Sequence, residues 1–341
     1  MFDPRPKSSR RELFDREREL KILDSATGRG VPLVLVLGIR RIGKTSLLKS
    51  FLEAHNGIYL DMRGVRREVD LYEKLSEGLK SSLSRLKKII EGIRGVSVMG
   101  VEVEIKWRGK DSISLLGLLE ELNKRKERVI VVFDEAQLIK PPLSMEIKSA
   151  IAYAYDNLEY ITVILSGSEI GLLRDFIGVE NPESPLYGRY ALELVVERFP
   201  VDLSLEFLRR GFRELGLRVP EEVLEKAVDT FDGIVGWLVF FGRSYADGVR
   251  DLDRILEAAV RLAVKELSKL RKREKLVLKA VAEGANSWSS IRKTIEEREG
   301  VIIPKSSLTR TIRKLEKLSI IKEYEFLDPV YREASKRLIV K

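Results

Sequence analysis

Eight residues, Gly38 to Thr45, have the types and the spacing that bind a nucleoside triphosphate. They read GIRRIGKT, the pattern GxxxxGK(S/T), and they follow the apolar run Leu33 to Leu37. This order predicts a buried strand, a tight phosphate-binding loop (P-loop) and a helix that begins near Lys44. Glycine permits the turn and a close approach of the backbone to a phosphate. The loop N–H groups and the helix N-terminus then bind the anion.

Two side chains of this loop have a predicted chemical role. Lys44 is expected to reach the β- and γ-phosphates of ATP, and the Thr45 hydroxyl is expected to bind Mg²⁺. The alternative, a strand–helix turn that binds nothing, does not require the complete pattern. The predicted contacts to ATP or ADP come from Gly38, Ile39, Arg40, Arg41, Ile42, Gly43, Lys44, Thr45 and Ser46.

A pair of acidic residues follows a second apolar run. Val129 to Phe133 reads as a buried strand, and Asp134 and Glu135 come directly after it. After a P-loop, this is the Walker B pattern. Asp134 is expected to bind Mg²⁺ directly or through water, and Glu135 to orient and deprotonate the attacking water as a general base. The alternative is a surface acidic pair at a strand end.

Two further polar positions are candidate catalytic groups. The run Tyr160 to Leu165 reads as a strand and ends in Ser166 and Ser168, either of which could contact the γ-phosphate or the water. The alternative is a serine-rich turn. Arg189 lies before the apolar run Ala191 to Val196, where it could stabilise transition-state charge, in its own chain or across a subunit contact. Its alternative is an ordinary surface arginine.

The elements that must position these residues alternate between strand and helix. Helices are predicted over Leu13 to Ala26, Val69 to Ile93 and Ser114 to Lys126, and a short strand over Gly57 to Met62. Valines and isoleucines that alternate around Gly100 predict a β-hairpin of unassigned role within residues 94–108. With 341 residues, the chain is long enough for two or three domains.

After residue 201 the pattern is helical only, which predicts a separate helical subdomain. The last section predicts three helices, followed by a strand over Ile320 to Phe326 and a turn at Asp328-Pro329. Three helices and a β-ribbon form a winged helix-turn-helix, in which the third helix, Lys305 to Leu318, usually enters the major groove. The predicted domains are therefore 1–200, 201–268 and 269–341.

The position of the net charge of +9 favours a nucleic-acid partner for the last domain. Residues 269–341 contain 19 basic and 10 acidic residues and so carry the entire excess, while the rest of the chain is neutral. Basic residues on an exposed helix face bind DNA phosphates with salt-dependent affinity. Double-stranded DNA is therefore the predicted partner, through Arg310, Arg313, Lys314 and Lys317. The alternative is a charged helix in a protein–protein module.

The composition argues against several other classes of protein. The absence of cysteine excludes disulfides and Cys-ligated zinc, and a surface position is expected for the single histidine, His55. The apolar runs are too short to span a membrane, and the charged segment Met1 to Arg11 is unlike a signal peptide. A cytoplasmic protein is therefore expected.

Six segments in this order resemble the archaeal ATPase family: GIRRIGKTSLL, VIVVFDEAQ, ILSGSE, PLYGR, DGIVGWL and FLDP. That family is grouped with the AAA+ and STAND P-loop ATPases, and the resemblance covers nearly the whole chain. It implies an α/β fold, a P-loop NTPase αβα sandwich with strand order 5-1-4-3-2, followed by a helical lid and a C-terminal winged helix.

The resemblance also implies roles for individual residues. Lys44, Thr45, Asp134 and Glu135 carry over directly, Ser166 or Ser168 falls at the sensor position, and Arg189 matches the arginine of PLYGR. The stretch that contains Phe14 and Arg16 resembles the N-terminal segment near the adenine, which implies nucleotide contacts there, largely from backbone. Val235 stands where STAND proteins place a nucleotide-facing proline, and no arginine has a clear sensor-two context. These departures favour a switch over a processive motor.

Together these observations predict a Mg²⁺-dependent ATPase that hydrolyses ATP slowly. Its nucleotide state would position a basic, DNA-binding winged helix. One alternative is a nucleotide-latched signalling or scaffold protein with little turnover, whose winged helix binds protein. A protein partner and a nucleotide-dependent oligomer are further alternatives for its interactions. The other alternative is a small-molecule kinase, which would need an acceptor pocket.

Overall fold

The computed structural model of the protein describes residues 1–340. The strands are β1 (Leu33–Leu37), β2 (Gly57–Asp61), β3 (Val96–Met99), β4 (Glu102–Ile105), β5 (Val129–Asp134), β6 (Ile161–Gly167), β7 (Leu192–Val195), β8 (Ile321–Lys322) and β9 (Glu325–Phe326). The helices are α1 (Glu17–Gly28), α2 (Lys44–Leu52), α3 (Glu68–Ser81), α4 (Leu83–Ile90), α5 (Leu115–Lys124), α6 (Leu143–Asn157), α7 (Ile170–Ile177), α8 (Val201–Glu214), α9 (Glu221–Phe231), α10 (Val235–Ala246), α11 (Leu252–Leu267), α12 (Lys272–Ala282), α13 (Trp288–Glu299), α14 (Lys305–Lys317) and α15 (Pro329–Lys336).

Five parallel strands form the central sheet in the order β2-β5-β6-β1-β7. Counted along the chain as core strands one to five, this is the predicted order 5-1-4-3-2, which is confirmed. The strands β1, β5 and β6 are buried along their whole length. A parallel sheet with helices on both faces requires such continuous apolar runs, which is why these strands could be predicted.

Alternating side chains of the sheet enter two different apolar layers. Leu33, Leu35 and Leu37 of β1 pack with α3 to α7 on one face. Val34 and Val36 pack with α1 and α2 on the other face. The P-loop joins β1 to α2 and so lies at the carboxyl edge of the sheet, together with the ends of β5 and β6. The α/β sandwich places all the predicted phosphate-site residues except Arg189 near this edge.

Several local predictions need correction. The helix predicted over Val69 to Ile93 is interrupted at Ser82 and becomes α3 and α4, and the helix predicted from Leu13 begins at Glu17. The hairpin around Gly100 forms as predicted, from β3 and β4. Helices α6 and α7 were not predicted.

The wing also differs from its prediction. The strand predicted over Ile320 to Phe326 is a hairpin of β8 and β9, which turns at Glu323 and Tyr324, both with positive φ. Asp328-Pro329 begins a helix instead of forming a turn, because the Asp328 carboxylate accepts the Val330 N–H at 2.8 Å and caps α15. Proline is well suited to this first helical position.

The helices α8 to α11 and the C-terminal helices share one continuous apolar core. It includes Trp237 and Phe241 of α10, Val260 of α11, Leu315 of α14 and Tyr331 of α15. The segment around residue 268, where a domain boundary is predicted, therefore joins two parts that are packed together. Among the helices of residues 1–340, none is long and apolar enough to cross a lipid bilayer.

Candidate nucleotide site

The P-loop adopts backbone angles that favour glycine. Gly43 has φ +98°, in the left-handed region, directly before the first residue of α2. A Cβ added at Gly38 would lie 2.7 Å from the carbonyl oxygen of Val196, a contact too close to be tolerated. Both positions need glycine because the chain turns sharply from a buried strand into a helix. Gly43, together with the first residues of α2, lines the cavity at the helix N-terminus.

Lys44 is buried at the base of this loop. Its ammonium group donates hydrogen bonds to the carbonyl oxygens of Gly38 at 2.7 Å and Ile39 at 2.9 Å. Burial lowers the pKa of Lys44 to about 8, although the nearby carboxylates of Glu135 and Asp134 act in the opposite direction. A buried cation with only loop carbonyls as hydrogen-bond partners has a strong electrostatic affinity for a phosphate.

Thr45 and Asp134 form the candidate Mg²⁺ site. The Thr45 hydroxyl donates to Asp134 Oδ2 at 2.7 Å, and Asp134 is only 1% exposed. Ser166 is fully buried and donates to the other oxygen, Oδ1, of the same carboxylate. Hydroxyl and carboxylate oxygens are ligands that suit Mg²⁺, which usually also takes phosphate oxygens and water. The residues present therefore fit this cation, and Ser166 lies behind Asp134.

Glu135 has a strained backbone and a carboxylate held by neighbouring donors. Its φ of +56° and ψ of +42° are left-handed, which is uncommon for a residue other than glycine and typical of functional sites. Glu135 Oε2 accepts hydrogen bonds from Gln137 Nε2 at 2.6 Å and from the Ser168 hydroxyl at 2.9 Å. The predicted general base is thus fixed to the loop that follows β6.

These groups open into a cavity of about 670 Å³. Its wall combines the P-loop with the N-terminal segment and α10, and it includes Lys44, Thr45 and Glu135. A volume of this size is in the range of small-molecule and cofactor sites. It extends from the phosphate-binding loop toward Phe14, Phe207 and Phe240, whose rings offer an apolar surface to a base.

Phe14 and Arg16 lie beside this cavity, as the predicted nucleotide contacts require. The Phe14 ring packs edge-on against Phe199 and Phe207, with centroid distances of 5.6 and 5.4 Å. Arg16 is buried and donates to the carbonyl oxygens of Ile42 at 3.2 Å and Glu197 at 3.0 Å. Its guanidinium therefore holds the P-loop against the segment after β7.

The N-terminal residues also line the cavity, and their sequence gave no indication of this. Residues from Met1 to Lys7 contribute to the wall, and the Lys7 N–H donates to the Ser46 hydroxyl at 3.1 Å. Phe2 inserts between α8 and α10, where a Cβ on Gly211 or Gly242 would collide with its ring. Gly211 and Gly242 are far from Phe2 in the sequence, so only the folded structure shows that they leave room for its ring.

The structure places Arg189 away from the cavity of its own chain. Because β7 runs parallel to β1 and Arg189 precedes β7, this arginine lies at the amino edge of the sheet, opposite the P-loop. Its guanidinium is bound to Asp156 at 3.1 and 2.5 Å and to the Pro185 carbonyl at 2.6 Å. A role for Arg189 across a subunit contact stays a prediction.

Arg40 and Arg41 leave the P-loop in the direction of the helical region. Arg40 pairs with Glu266 of α11 at 3.1 Å, and Arg41 pairs with the same carboxylate while its guanidinium stacks 4.1 Å from the Trp237 ring centre. The Gly236 N–H donates to the Arg41 carbonyl at 2.9 Å. A Cβ on Gly43 would be 3.3 Å from Val235. The lid segment thus contacts the P-loop despite the missing proline.

Comparison with known proteins finds matches to both the P-loop domain and the C-terminal helices of this chain. A family model described as an ATPase domain predominantly from Archaea matches residues 13–241, and a model of the MCM protein C-terminal winged helix-turn-helix domain matches residues 268–334. A Walker-type ATPase of Pyrococcus abyssi is 38% identical, with a TM-score of 0.84, over 98% of this chain and 99% of that chain. Among curated proteins, none matches in sequence.

Cdc6p from Pyrobaculum aerophilum is 17% identical, with a TM-score of 0.50, over 98% of this chain and 97% of that chain, and this likeness concerns the fold alone. The archaeal model, in contrast, matches residues 13–241, more than half of the chain, and the 38% identity extends over nearly its full length. The chain therefore belongs to the ATPase family found predominantly in Archaea, and it is a P-loop ATPase with a C-terminal winged helix domain.

Proposed function

We propose that this protein is a slow, Mg²⁺-dependent ATPase switch whose nucleotide state positions the winged helix for binding to double-stranded DNA. In this proposal Lys44 binds the β- and γ-phosphates, and Thr45 and Asp134 hold Mg²⁺, which neutralises phosphate charge when bound. Glu135 accepts the proton of the attacking water. The Thr45–Asp134 hydrogen bond beside the buried Lys44 supports these assignments.

The environment of Glu135 supports slow turnover. The Glu135 Oε2 atom already accepts hydrogen bonds from Gln137 and Ser168, which engage this oxygen and fix its orientation, so the carboxylate is less available to the proton of a water molecule. Rapid catalysis would then require the loop after β6 to shift. The same contacts favour the second candidate function, a nucleotide-latched scaffold with little turnover.

The single observation that carries the switch is the pairing of both P-loop arginines with Glu266. This glutamate lies near the end of α11 and also accepts a hydrogen bond from the Tyr331 hydroxyl of the winged helix at 2.5 Å. Phosphates that enter the P-loop compete with Glu266 for Arg40 and Arg41, since one guanidinium has a limited set of donors. Nucleotide binding would thereby alter the contact between the ATPase core and the winged helix.

A second contact connects the lid to the same part of the winged helix. The Trp237 indole N–H donates to Asp328 Oδ2 at 2.9 Å, and the other oxygen of Asp328 caps α15. With the shared apolar core, this supports movement of α8 to α15 as one body. A change at the P-loop would then reorient the DNA-binding helix without separate unfolding of the lid.

The predicted DNA face is partly covered in this arrangement. Arg310 and Arg313 are exposed, and within residues 1–340 neither has an ion-pair partner. Lys314 instead pairs with Glu274 at 2.6 Å, and Lys317 pairs with Asp175 of α7 at 2.7 Å. The C-terminal end of α14 is thus attached to the ATPase core, which supports a form that has yet to be released for full DNA contact.

Glu266→Gln tests the switch. Removal of this negative charge should weaken its pairing with Arg40 and Arg41 and uncouple the domains. The wild-type ratio of duplex affinities with ATP and with ADP should be at least about fivefold, a typical size for such coupling. In the Glu266→Gln variant we expect the same ratio to be less than about twofold. The measurement is fluorescence anisotropy of labelled duplex DNA with each nucleotide in excess.

Glu257→Gln is the matched control for this experiment. Glu257 lies on the same helix and pairs with Arg337 beyond α15, but it does not contact the P-loop. Its substitution should leave the ratio unchanged. A ratio that survives in Glu266→Gln, or that falls equally in both variants, would contradict the proposed coupling.

The double substitution Arg310→Ala/Arg313→Ala tests the DNA face. Each lost phosphate contact lowers the steepness of log K against log[salt] by about 0.9 for B-DNA, so we expect a reduction of about two. Duplex affinity should be measured from low to moderate salt. Lys293→Ala/Arg298→Ala on α13, where both cations already have ion-pair partners, serves as the control. Salt-independent binding by the wild-type protein, or none at low salt, would favour a protein partner or a nucleotide-dependent oligomer.

A further inference from the structure

The Asp134 carboxylate is saturated with hydrogen bonds. Oδ2 accepts from the Thr45 hydroxyl at 2.7 Å and from the Tyr59 hydroxyl at 2.5 Å. Oδ1 accepts from the Ser166 hydroxyl and from the Glu135 N–H, the latter at 3.1 Å. Two carboxylate oxygens offer about four lone-pair positions. All four are therefore occupied by protein donors.

Tyr59 is the donor that comes from outside the recognised motifs. It belongs to the edge strand β2, which pairs in parallel with β5 so that Tyr59 is opposite Val132, two residues before Asp134. Its ring lies 4.9 Å from the Lys49 ammonium group of α2. The phenol thus reaches from the edge of the sheet to the carboxylate, and the Lys49 ammonium group lies over one face of its ring.

The Tyr59 phenol has a single O–H group. In this structure it donates that hydrogen to Asp134 Oδ2. Its hydrogen bond to Oδ2 fixes the plane of the carboxylate that also holds the Thr45 hydroxyl. Groups that orient a metal-binding carboxylate in this way commonly change metal affinity 10- to 100-fold when they are removed.

We propose that Tyr59 is a positioning residue for the magnesium site, acting through the Asp134 carboxylate that it shares with Thr45. This inference rests on the proposed roles of Thr45 and Asp134. In this assignment Tyr59 acts through Asp134 and is not itself a ligand. Because four donors already surround the Asp134 carboxylate, a cation or a cation-bound water reaches it only in place of one of these hydrogen bonds, and loss of the Tyr59 donor alters that exchange.

The test is Tyr59→Phe in the full chain, which removes the hydroxyl and keeps the ring over Lys49. The readout is binding of a fluorescent ADP analogue, first in EDTA and then over a Mg²⁺ titration, with no turnover involved. We expect unchanged affinity in EDTA. The Mg²⁺ concentration that gives half of the full change in affinity should shift by about 10-fold.

Tyr72→Phe is the matched control. Tyr72 is another tyrosine of the ATPase core. It is buried, and its hydroxyl accepts the Leu115 N–H at 3.0 Å, away from Asp134. A general loss of packing would shift the Mg²⁺ midpoint in both variants, whereas a positioning role shifts it only in Tyr59→Phe. An unchanged Mg²⁺ midpoint in Tyr59→Phe, or an equal shift in both variants, would overturn the role of Tyr59.

The experiment also separates this inference from the proposed function. If nucleotide binding by the wild-type protein does not respond to Mg²⁺, the assignment of Thr45 and Asp134 fails, and the role of Tyr59 fails with it. If the wild-type protein and Asp134→Asn differ in their response to Mg²⁺ while Tyr59→Phe behaves as wild type, only the role of Tyr59 is wrong.

Discussion

Lys44→Ala is expected to lower the affinity for ATP and ADP by about 100-fold. The ammonium group would form at least two charge-assisted hydrogen bonds to phosphates, each worth about 1.5 kcal/mol, and each 1.4 kcal/mol is a factor of ten. The measurement is isothermal titration of the purified protein with nucleotide. Lys21→Ala, at an exposed position of α1, is the control and should bind as wild type.

The pKa of Lys44 supplies a second readout for this prediction. Because the pKa is about 8 in the free protein, the side chain is charged below pH 8 and becomes neutral above it. Nucleotide binding above pH 8 must then take up a proton, and affinity should fall by up to about tenfold per pH unit. The Lys44→Ala variant lacks this group and should lose that dependence. Equal affinity of wild type and variant at pH 7 would contradict the phosphate site.

Glu135→Gln is expected to lower the rate of ATP hydrolysis by a factor of about 10² to 10⁴, the usual contribution of a general base. Glutamine keeps the size of the side chain but cannot accept the water proton. ATP affinity should change little, since the assigned phosphate and metal groups are intact. The measurement is phosphate release in a single turnover, beside equilibrium binding of ATP.

Glu146→Gln, on α6, is the control and should hydrolyse ATP at the wild-type rate. Turnover that persists in Glu135→Gln would remove Glu135 from its assigned role. If the wild-type protein itself releases no phosphate from bound ATP, the nucleotide-latched scaffold becomes the better description. Transfer of the phosphoryl group to a metabolite would instead favour the kinase.

The phosphate site could be predicted because its information is local. The pattern from Gly38 to Thr45 specifies the loop, and the strand that ends at Asp134 brings the acidic pair to the same edge of a parallel sheet. Tyr59 could not be predicted, because its contact with Asp134 depends on the pairing register of β2 and β5. Arg189 is a different case. It precedes its predicted strand, and in a parallel sheet this position places it at the amino edge, opposite the P-loop, so its distance from the phosphate site could be predicted from the sequence.

The start of α15 could have been predicted from the sequence. The pair Asp328-Pro329 is typical of a helix N-terminus as well as of a turn, and the first of these two readings predicts α15. The partial covering of the basic helix was not predictable in this way. The basic helix α14 is covered because Lys317 pairs with Asp175 and because the Lys317 backbone lies close to Gly171. A Cβ on Gly171 would lie 2.5 Å from the Lys317 Cα.

The apolar core that joins α11 to α15 limits how this protein can be divided. Removal of everything after residue 268 would uncover Ala263 and Leu267, which are buried in that core. The exposed patch would favour aggregation. The C-terminal module is thus no exchangeable cassette: a chimaera that grafts a foreign module here would have to rebuild the α11 surface as well.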